Sequence, residues 1–245
     1  MESEKKESSL SVPIAIIVSG IIIAGAVFLT RNPIASELTG ANVGQAVPPV
    51  DVPAISSDDH ILGNPDAPLV FIEYSDTECP FCKDFHATML EIMDEFGPTG
   101  EVAWVYRHFP LDELHPRASR EAAATECARE LGGASAFWEF TNKLFEMKPV
   151  ETAGFAHLTD LAGEVGVGGV AFETCLSSGK YDAQIEESRA EAERAGGQGT
   201  PFTVIRTAED DFPLGGAYPY ETVREIVVSY LEQQRTQGEA PAVVE

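Results

Sequence analysis

The residues best placed to do chemistry in this 245-residue chain lie in one short run, Glu78-Cys79-Pro80-Phe81-Cys82. Cysteines at this spacing serve either as half of a zinc site or as a reversible disulfide. A structural zinc site takes four ligands, and no second Cys-x-x-Cys and no His-x-x-x-His follows, so no metal is expected at the pair. Upstream, LVFIEY (Leu69 to Tyr74) reads as a buried strand. Downstream, Phe85, Met89, Ile92, Met93 and Phe96 recur at helical spacing until Gly97-Pro98 stops the helix. Cys79 therefore stands at a helix N-terminus, where unpaired amides and the helix dipole favour an anion such as a thiolate. Pro80 suits the first helical position, where its missing N–H costs nothing.

Magnitudes limit what that placement achieves. Lowering a thiol pKa from about 8.5 to about 3.5 takes about 7 kcal/mol, of which a helix terminus contributes about 0.3–2 kcal/mol. The remainder must come from the Cys82 thiol and nearby amides. Pro80 and Phe81 carry no hydrogen-bonding side chain, so a moderate lowering at Cys79 is expected, and with it less than extreme oxidising power.

The positioning elements follow from periodicity. A strand over Glu101 to Phe109 completes a β-α-β unit whose turn carries the cysteines. An Ala-rich helix from Arg117 to Leu131 ends at Gly132-Gly133, a second, AFWEFTNKLFEM, ends at Pro149, and shorter helices continue to about Ala195. The charged run Gln184 to Arg194 reads as a solvated helix face. Then come a strand PFTVIR (Pro201 to Arg206), a second strand and turn in DFPLGG, and an amphipathic last helix marked by Val223, Ile226, Val227, Tyr230 and Leu231.

In order and spacing, EYSDTECPFC, RHFPL, HPRASREAAATECA, FWEFTNKLF, CLSSGKY and GTPFTVI resemble the DsbA-like thioredoxin family over about Asp58 to Leu231. The resemblance implies an α/β thioredoxin fold with a helical insertion, and disulfide exchange without a cofactor. By the same resemblance, Cys79 is the exposed nucleophile, Cys82 the resolving thiol and Pro201 a cis-proline. Thr200, Pro201, Pro80 and Phe81 would then contact substrate, and Glu73, six residues before Cys79, would be a buried acid relaying a proton for Cys82. A half-exposed strand carboxylate is the other reading of Glu73.

Cys127 and Cys175 remain. Four cysteines allow three connectivities, and the short Cys79–Cys82 loop leaves these two as natural partners in an oxidising compartment, a structural disulfide being weighed against two buried thiols. His86, four residues after Cys82, and His108 and His115, flanking RHFPL, read as surface or capping residues, and Lys83 as a solvated lysine.

With 16 Lys and Arg against 40 Asp and Glu, a net charge of -24 disfavours nucleic acid as a partner. Val12 to Leu29 carries no charge and follows Lys5 and Lys6, which reads as a single membrane span with its N-terminus inside. A cleaved signal peptide, with Ala24-Gly25-Ala26 as cleavage site, competes with it. The expected organisation is a cytoplasmic N-terminus over 1–10, a transmembrane signal anchor over 11–30 and a flexible linker over 31–57. The DsbA-like domain follows over 58–235 with its insertion at about 115–195, then a disordered tail over 236–245.

The leading functional reading is an extracytoplasmic, membrane-anchored enzyme that introduces disulfides into exported cysteine-containing proteins and is reoxidised by a quinone-linked membrane partner. Disulfide isomerase or reductase is the alternative in the same class, since Thr200 before the proline resembles isomerases as much as oxidases. A copper-binding thiol chaperone is the alternative from another class.

Overall fold

The computed structural model describes residue 50, residues 52–147 and residues 156–238, all within one compact unit, Pro49–Glu245. Five strands form a mixed sheet in the order β1-β3-β2-β4-β5: β1 His60–Gly63, β2 Leu69–Ser75, β3 Val102–His108, β4 Phe202–Arg206 and β5 Asp211–Gly215. β2 and β3 run parallel, and the other pairs are antiparallel. Helix α1, Pro80–Phe96, makes the crossover between the parallel pair, followed by a 3-10 turn at Gly97–Thr99.

Strand alternation divides the apolar side chains between two faces. Leu69, Phe71, Val102 and Trp104 pack with α1 and with α6 (Tyr220–Gly238), whose Val223, Val227 and Leu231 form its buried stripe. Val70, Ile72, Ala103, Val105 and Val204 form the other face, which takes Ala192 of α5 (Asp182–Arg194).

Between β3 and β4 lie α2 (Ala118–Glu146), α3 (Ala156–Glu164), α4 (Val170–Ser178) and α5. Helix α2 is broken at Gly133, whose φ of 76° with ψ of -167° suits glycine alone. Beyond the break it serves two cores. Phe137, Trp138 and Phe145 pack toward the sheet, while Phe140 and Leu144 join Cys127, Phe172 and Cys175 in a separate core of the insertion. Cys127 and Cys175 are disulfide-bonded, with Cα atoms 5.9 Å apart, and tie α2 to α4.

Three details differ from the sequence reading. Strand β1 has no counterpart in it: four residues are too few to show alternation, and the strand's register is set by Gly63, at φ +97°, where a Cβ would meet Val102 O at 2.8 Å. The expected linker over 31–57 does not run free to its end. Val52 is 8% exposed within the Val70–Ile72 core, and Arg206 donates to Val52 O at 3.0 Å and Pro53 O at 3.1 Å, so chain docking begins before Asp58. The last helix continues to Gly238, past the expected start of the tail. The expected membrane span lies outside the described residues, and among those residues no helix is long and apolar enough to cross a membrane.

Candidate active site

Topology brings the distant parts of the site together. β2 and β3 point the same way, so their carboxyl ends, Ser75 and His108, lie side by side, and β4 runs antiparallel to β2 with Phe202 opposite Tyr74. The residues entering β4 therefore arrive where β2 ends. These are Thr200 and Pro201, joined by a cis peptide bond.

Cys79 is the N-cap of α1, in extended conformation, with Pro80 inside the first turn. Its Sγ lies 3.5 Å from Thr200 O, so Cys79 and the segment entering β4 are in contact. Cys79 and Cys82 are free thiols, and Cys82 lies one turn deeper. In place of the exposed nucleophile expected from the sequence, Cys79 is covered to 5% exposure, against 0% for Cys82. A cap residue wedged between the α1 terminus and the Thr200 backbone has little free surface. Pro80 and Phe81 stand outside, Phe81 at 63% exposure, so the surface next to Cys79 along the chain is apolar.

The environment pushes the two thiols apart. Cys79 is lowered to about 5, first by the hydrogen bond from the Cys82 thiol, against the opposing effect of burial, and then by Thr200 and the backbone N–H groups of Cys82 and Phe81. Those amides have no bond to the neutral sulfur and become partners as it ionises. Cys82 is pushed well above its ordinary value by burial, by Cys79 and by the negative charge of Glu73. At neutral pH the pair is thus a Cys79 thiolate accepting from a Cys82 thiol.

Behind Cys82 lies a buried polar group. Glu73 is fully buried, not half-exposed, and burial raises it to about 7, with Trp104 Nε1 donating to its Oε2 at 2.9 Å. The Ser75 hydroxyl is close enough to favour the charged forms of Glu73, Cys82 and Tyr106, though in this arrangement its proton is committed to none of them. Glu73 can therefore exist in either protonation state near neutrality, next to a thiol that must gain and lose a proton.

Asp76 carries no mark in the sequence, yet it organises the turn. Its carboxylate accepts from Glu78 N (2.9 Å), Leu111 N (2.9 Å) and His115 Nδ1 (2.8 Å), its carbonyl accepts from Cys79 N (3.1 Å), and its own N–H meets Cys82 Sγ at 3.4 Å. Acceptors of this kind are common in turns, and only the folded geometry distinguishes this one. His115 is more than the capping residue of the sequence reading. Burial would lower it, but Asp76 and the Cys79 thiolate outweigh burial and raise it, so its charged form is favoured by the same sulfur that stands at the α1 N-terminus. His86 is a core residue, buried against Trp104 and Phe145 with Asn142 Oδ1 2.7 Å from its Nε2, and burial lowers it to about 4. Lys83 bonds Glu146 O and Met147 O, both at 3.4 Å, capping α2.

Comparison with known proteins adds family context. A thioredoxin family model matches residues 56–212. DsbA2 of Pseudomonas aeruginosa is 28% identical with a TM-score of 0.58, over 74% of this chain and 96% of that one. The α-DsbA1 protein of Wolbachia pipientis is 23% identical with a TM-score of 0.62, over 77% and 97%, a likeness of fold. Among curated sequences, the Na(+)/H(+) antiporter NhaA 1 of Mycolicibacterium gilvum is 46% identical over 87 residues, 36% of this chain and 13% of that protein. The chain spans 13% to 28% of the length of such curated relatives.

Proposed function

The chain belongs to the thioredoxin family, in its DsbA-like thiol-disulfide oxidoreductase form, and on that premise we propose that it introduces disulfides into exported proteins through Cys79 and Cys82. The observation that carries this reading is the opposite displacement of the two thiols, Cys79 down to about 5 and Cys82 well up. A stabilised Cys79 thiolate stabilises the reduced pair and makes its disulfide the better electron acceptor.

The steps follow from the geometry. A substrate thiolate attacks Cys79 Sγ of the oxidised pair, the Sγ–Sγ bond breaks, and Cys82 leaves as a thiolate. Protonated Glu73 supplies the proton that this buried sulfur needs. A second substrate thiolate then attacks the substrate sulfur of the mixed disulfide and expels Cys79, which its surroundings hold as an anion. Two electrons pass from the substrate dithiol to the pair. The Thr200 backbone, in contact with Cys79, guides the incoming chain, and exposed Phe81 offers it apolar contact.

Three further elements belong to the same proposal: an extracytoplasmic site of action, anchoring by the apolar run Val12 to Leu29, and reoxidation by a quinone-linked membrane partner. The test is the reduction potential of the pair against glutathione, together with oxidative refolding of a reduced substrate by the full chain. Faster refolding and a potential above about -200 mV, toward the oxidising end of the family range, support the oxidant. A potential near about -270 mV with no acceleration would instead mark a reductase.

A further inference from the structure

On the β1 side of the sheet, three side chains from distant parts of the sequence meet. His60 opens β1, His108 closes β3 and Glu126 lies in α2; all three are buried. His60 Nε2 is 2.8 Å and His108 Nε2 3.1 Å from the same oxygen, Glu126 Oε1. One donor atom from each residue falls within 4.8 Å of the other two. The arrangement follows from register. His60 pairs with Tyr106, and His108, two residues on, projects from the same face of β3. Glu126 is held over them by its neighbour Cys127, whose disulfide fixes α2 to α4.

We propose that His60, His108 and Glu126 form a site for one divalent transition-metal ion of the zinc or cobalt type. Two imidazoles and a carboxylate are a donor set that such ions accept, with remaining positions open to water or a further ligand. Bonds of about 2.0–2.2 Å place tetrahedral donors roughly 3.3–3.5 Å apart, so the 3.1 Å separation needs to open by about 0.2–0.4 Å and the 2.8 Å separation by about 0.5–0.7 Å. Among the described residues His60 Nδ1 has no partner, so the proton can move there from Nε2 without displacing one, and the Nε2 lone pair then exchanges its bond to Glu126 for one to a metal that Glu126 also binds. Gln184, whose amide nitrogen lies 3.3 Å from Glu126 Oε1, can turn its carbonyl oxygen inward as a fourth ligand.

Entry and charge fit the same occupant. The three residues line a cavity of about 570 Å³ open to solvent, where Asp58, Asp59, Glu187 and Glu191 outnumber Arg107 and Arg129. That balance draws cations inward. Nitrogen donors at the base select against calcium and magnesium, which prefer all-oxygen sites. The site joins the edge strand, a central strand and the insertion, so an occupied site stabilises the fold and does not depend on the thiol reaction.

The test uses the full-length chain, stripped with chelator, with Cys79 and Cys82 oxidised so that thiols cannot bind metal. Titration with Zn2+ should give one ion per chain and, at about 1,000 times Kd, raise Tm by roughly 8–16 °C. Co2+ should give visible d–d bands without a thiolate-to-cobalt band, and Glu126→Gln and His108→Ala should each weaken Zn2+ binding at least about 100-fold. Absence of stoichiometric Zn2+ binding would overturn the proposal, as would Ca2+ binding of equal strength or unchanged affinity in both variants. Because Glu126→Gln unpairs two buried imidazoles and could unfold the chain, the wild-type Co2+ spectrum decides independently: no d–d band means that the three side chains are a hydrogen-bonded bracket only.

Discussion

Trp104 donates its indole N–H to Glu73 Oε2 at 2.9 Å, so the carboxyl behind the thiol pair is held by a neutral donor and not by a cation. Burial then dominates, and the acid is raised from 4.5 to about 7.

Replacing it tests both consequences. Glu73→Gln should slow, near pH 7, the steps that create or consume the Cys82 thiolate by roughly 100-fold, the scale of general acid–base catalysis, measured by stopped-flow Trp fluorescence. Stability should move the other way. The folded pKa is raised, so the stabilising effect of the protonated acid is complete below about 4.5 and is lost as pH rises through about 7. The loss amounts to about 3 kcal/mol, and urea unfolding of Glu73→Gln should lack that part of the decline. Glu121, also raised to about 7 by burial, titrates in the same window and remains in the variant.

The Cys82 thiol is the leading cause of the lowered Cys79 value, and two substitutions separate donor from sulfur. In Cys82→Ser a hydroxyl still donates, so the Cys79 thiolate absorbance should titrate within about one unit of the wild-type midpoint, and mixed disulfides with substrate should accumulate. In Cys82→Ala the midpoint should rise by more than about one unit. Equal midpoints for the two would show that the hydrogen bond is not the cause.

His115→Gln should raise the Cys79 midpoint by roughly 0.5–1 unit, because Asp76 and Cys79 favour the charged form of His115 and its attraction to the thiolate is mutual. Cys79 itself has a depressed folded pKa, so its contribution to the stability of the reduced protein is complete above about 9 and lost as pH falls through about 5. The melting temperature of the reduced protein should therefore gain on that of the oxidised protein as pH is raised across that window. A constant difference would contradict the assignment.

Removing the Cys127–Cys175 bond as a double alanine variant should cost about 4 kcal/mol on the loop-entropy model, read as a lower urea midpoint. The thiolate titration of Cys79 should not move, because the bond belongs to the core of the insertion.

Asp76→Ala should lose roughly 2–4 kcal/mol of stability, since two backbone amides and His115 would lose a buried anionic acceptor. Urea unfolding of the reduced protein measures it, and a loss below about 1 kcal/mol would mean that water replaces the carboxylate.

Features written in local periodicity were legible from the sequence: the buried strand before Cys79, the helix after it, the divided Ala-rich helix and the apolar stripe of the last helix. Order and spacing of short motifs added the fold and placed Thr200-Pro201 beside a cysteine more than a hundred residues away. What stayed hidden depends on convergence without periodicity. Strand β1 is too short to alternate, Val52 and Pro53 dock through backbone carbonyls that any residue carries, and Asp76 resembles every other turn aspartate. His60 and Glu126 are 66 residues apart in sequence, and only pairing of β1 with β3 beneath α2 brings them within bonding distance.

The two rims of the sheet carry a last consequence. On one side β1 offers only four residues before Gly63 turns the chain away, and on the other β5 carries Pro213, which lacks an N–H. An open rim with a continuous row of donors and acceptors is a template on which other extended chains can add themselves, and short strands and proline are the usual ways of blunting it. An oxidoreductase acting on polypeptides before they have folded would meet that hazard at every encounter. Under the function proposed above, the truncated rims would leave an incoming chain little to copy, so that it could be held at Thr200 beside Cys79 and released again without being recruited into the host's own sheet.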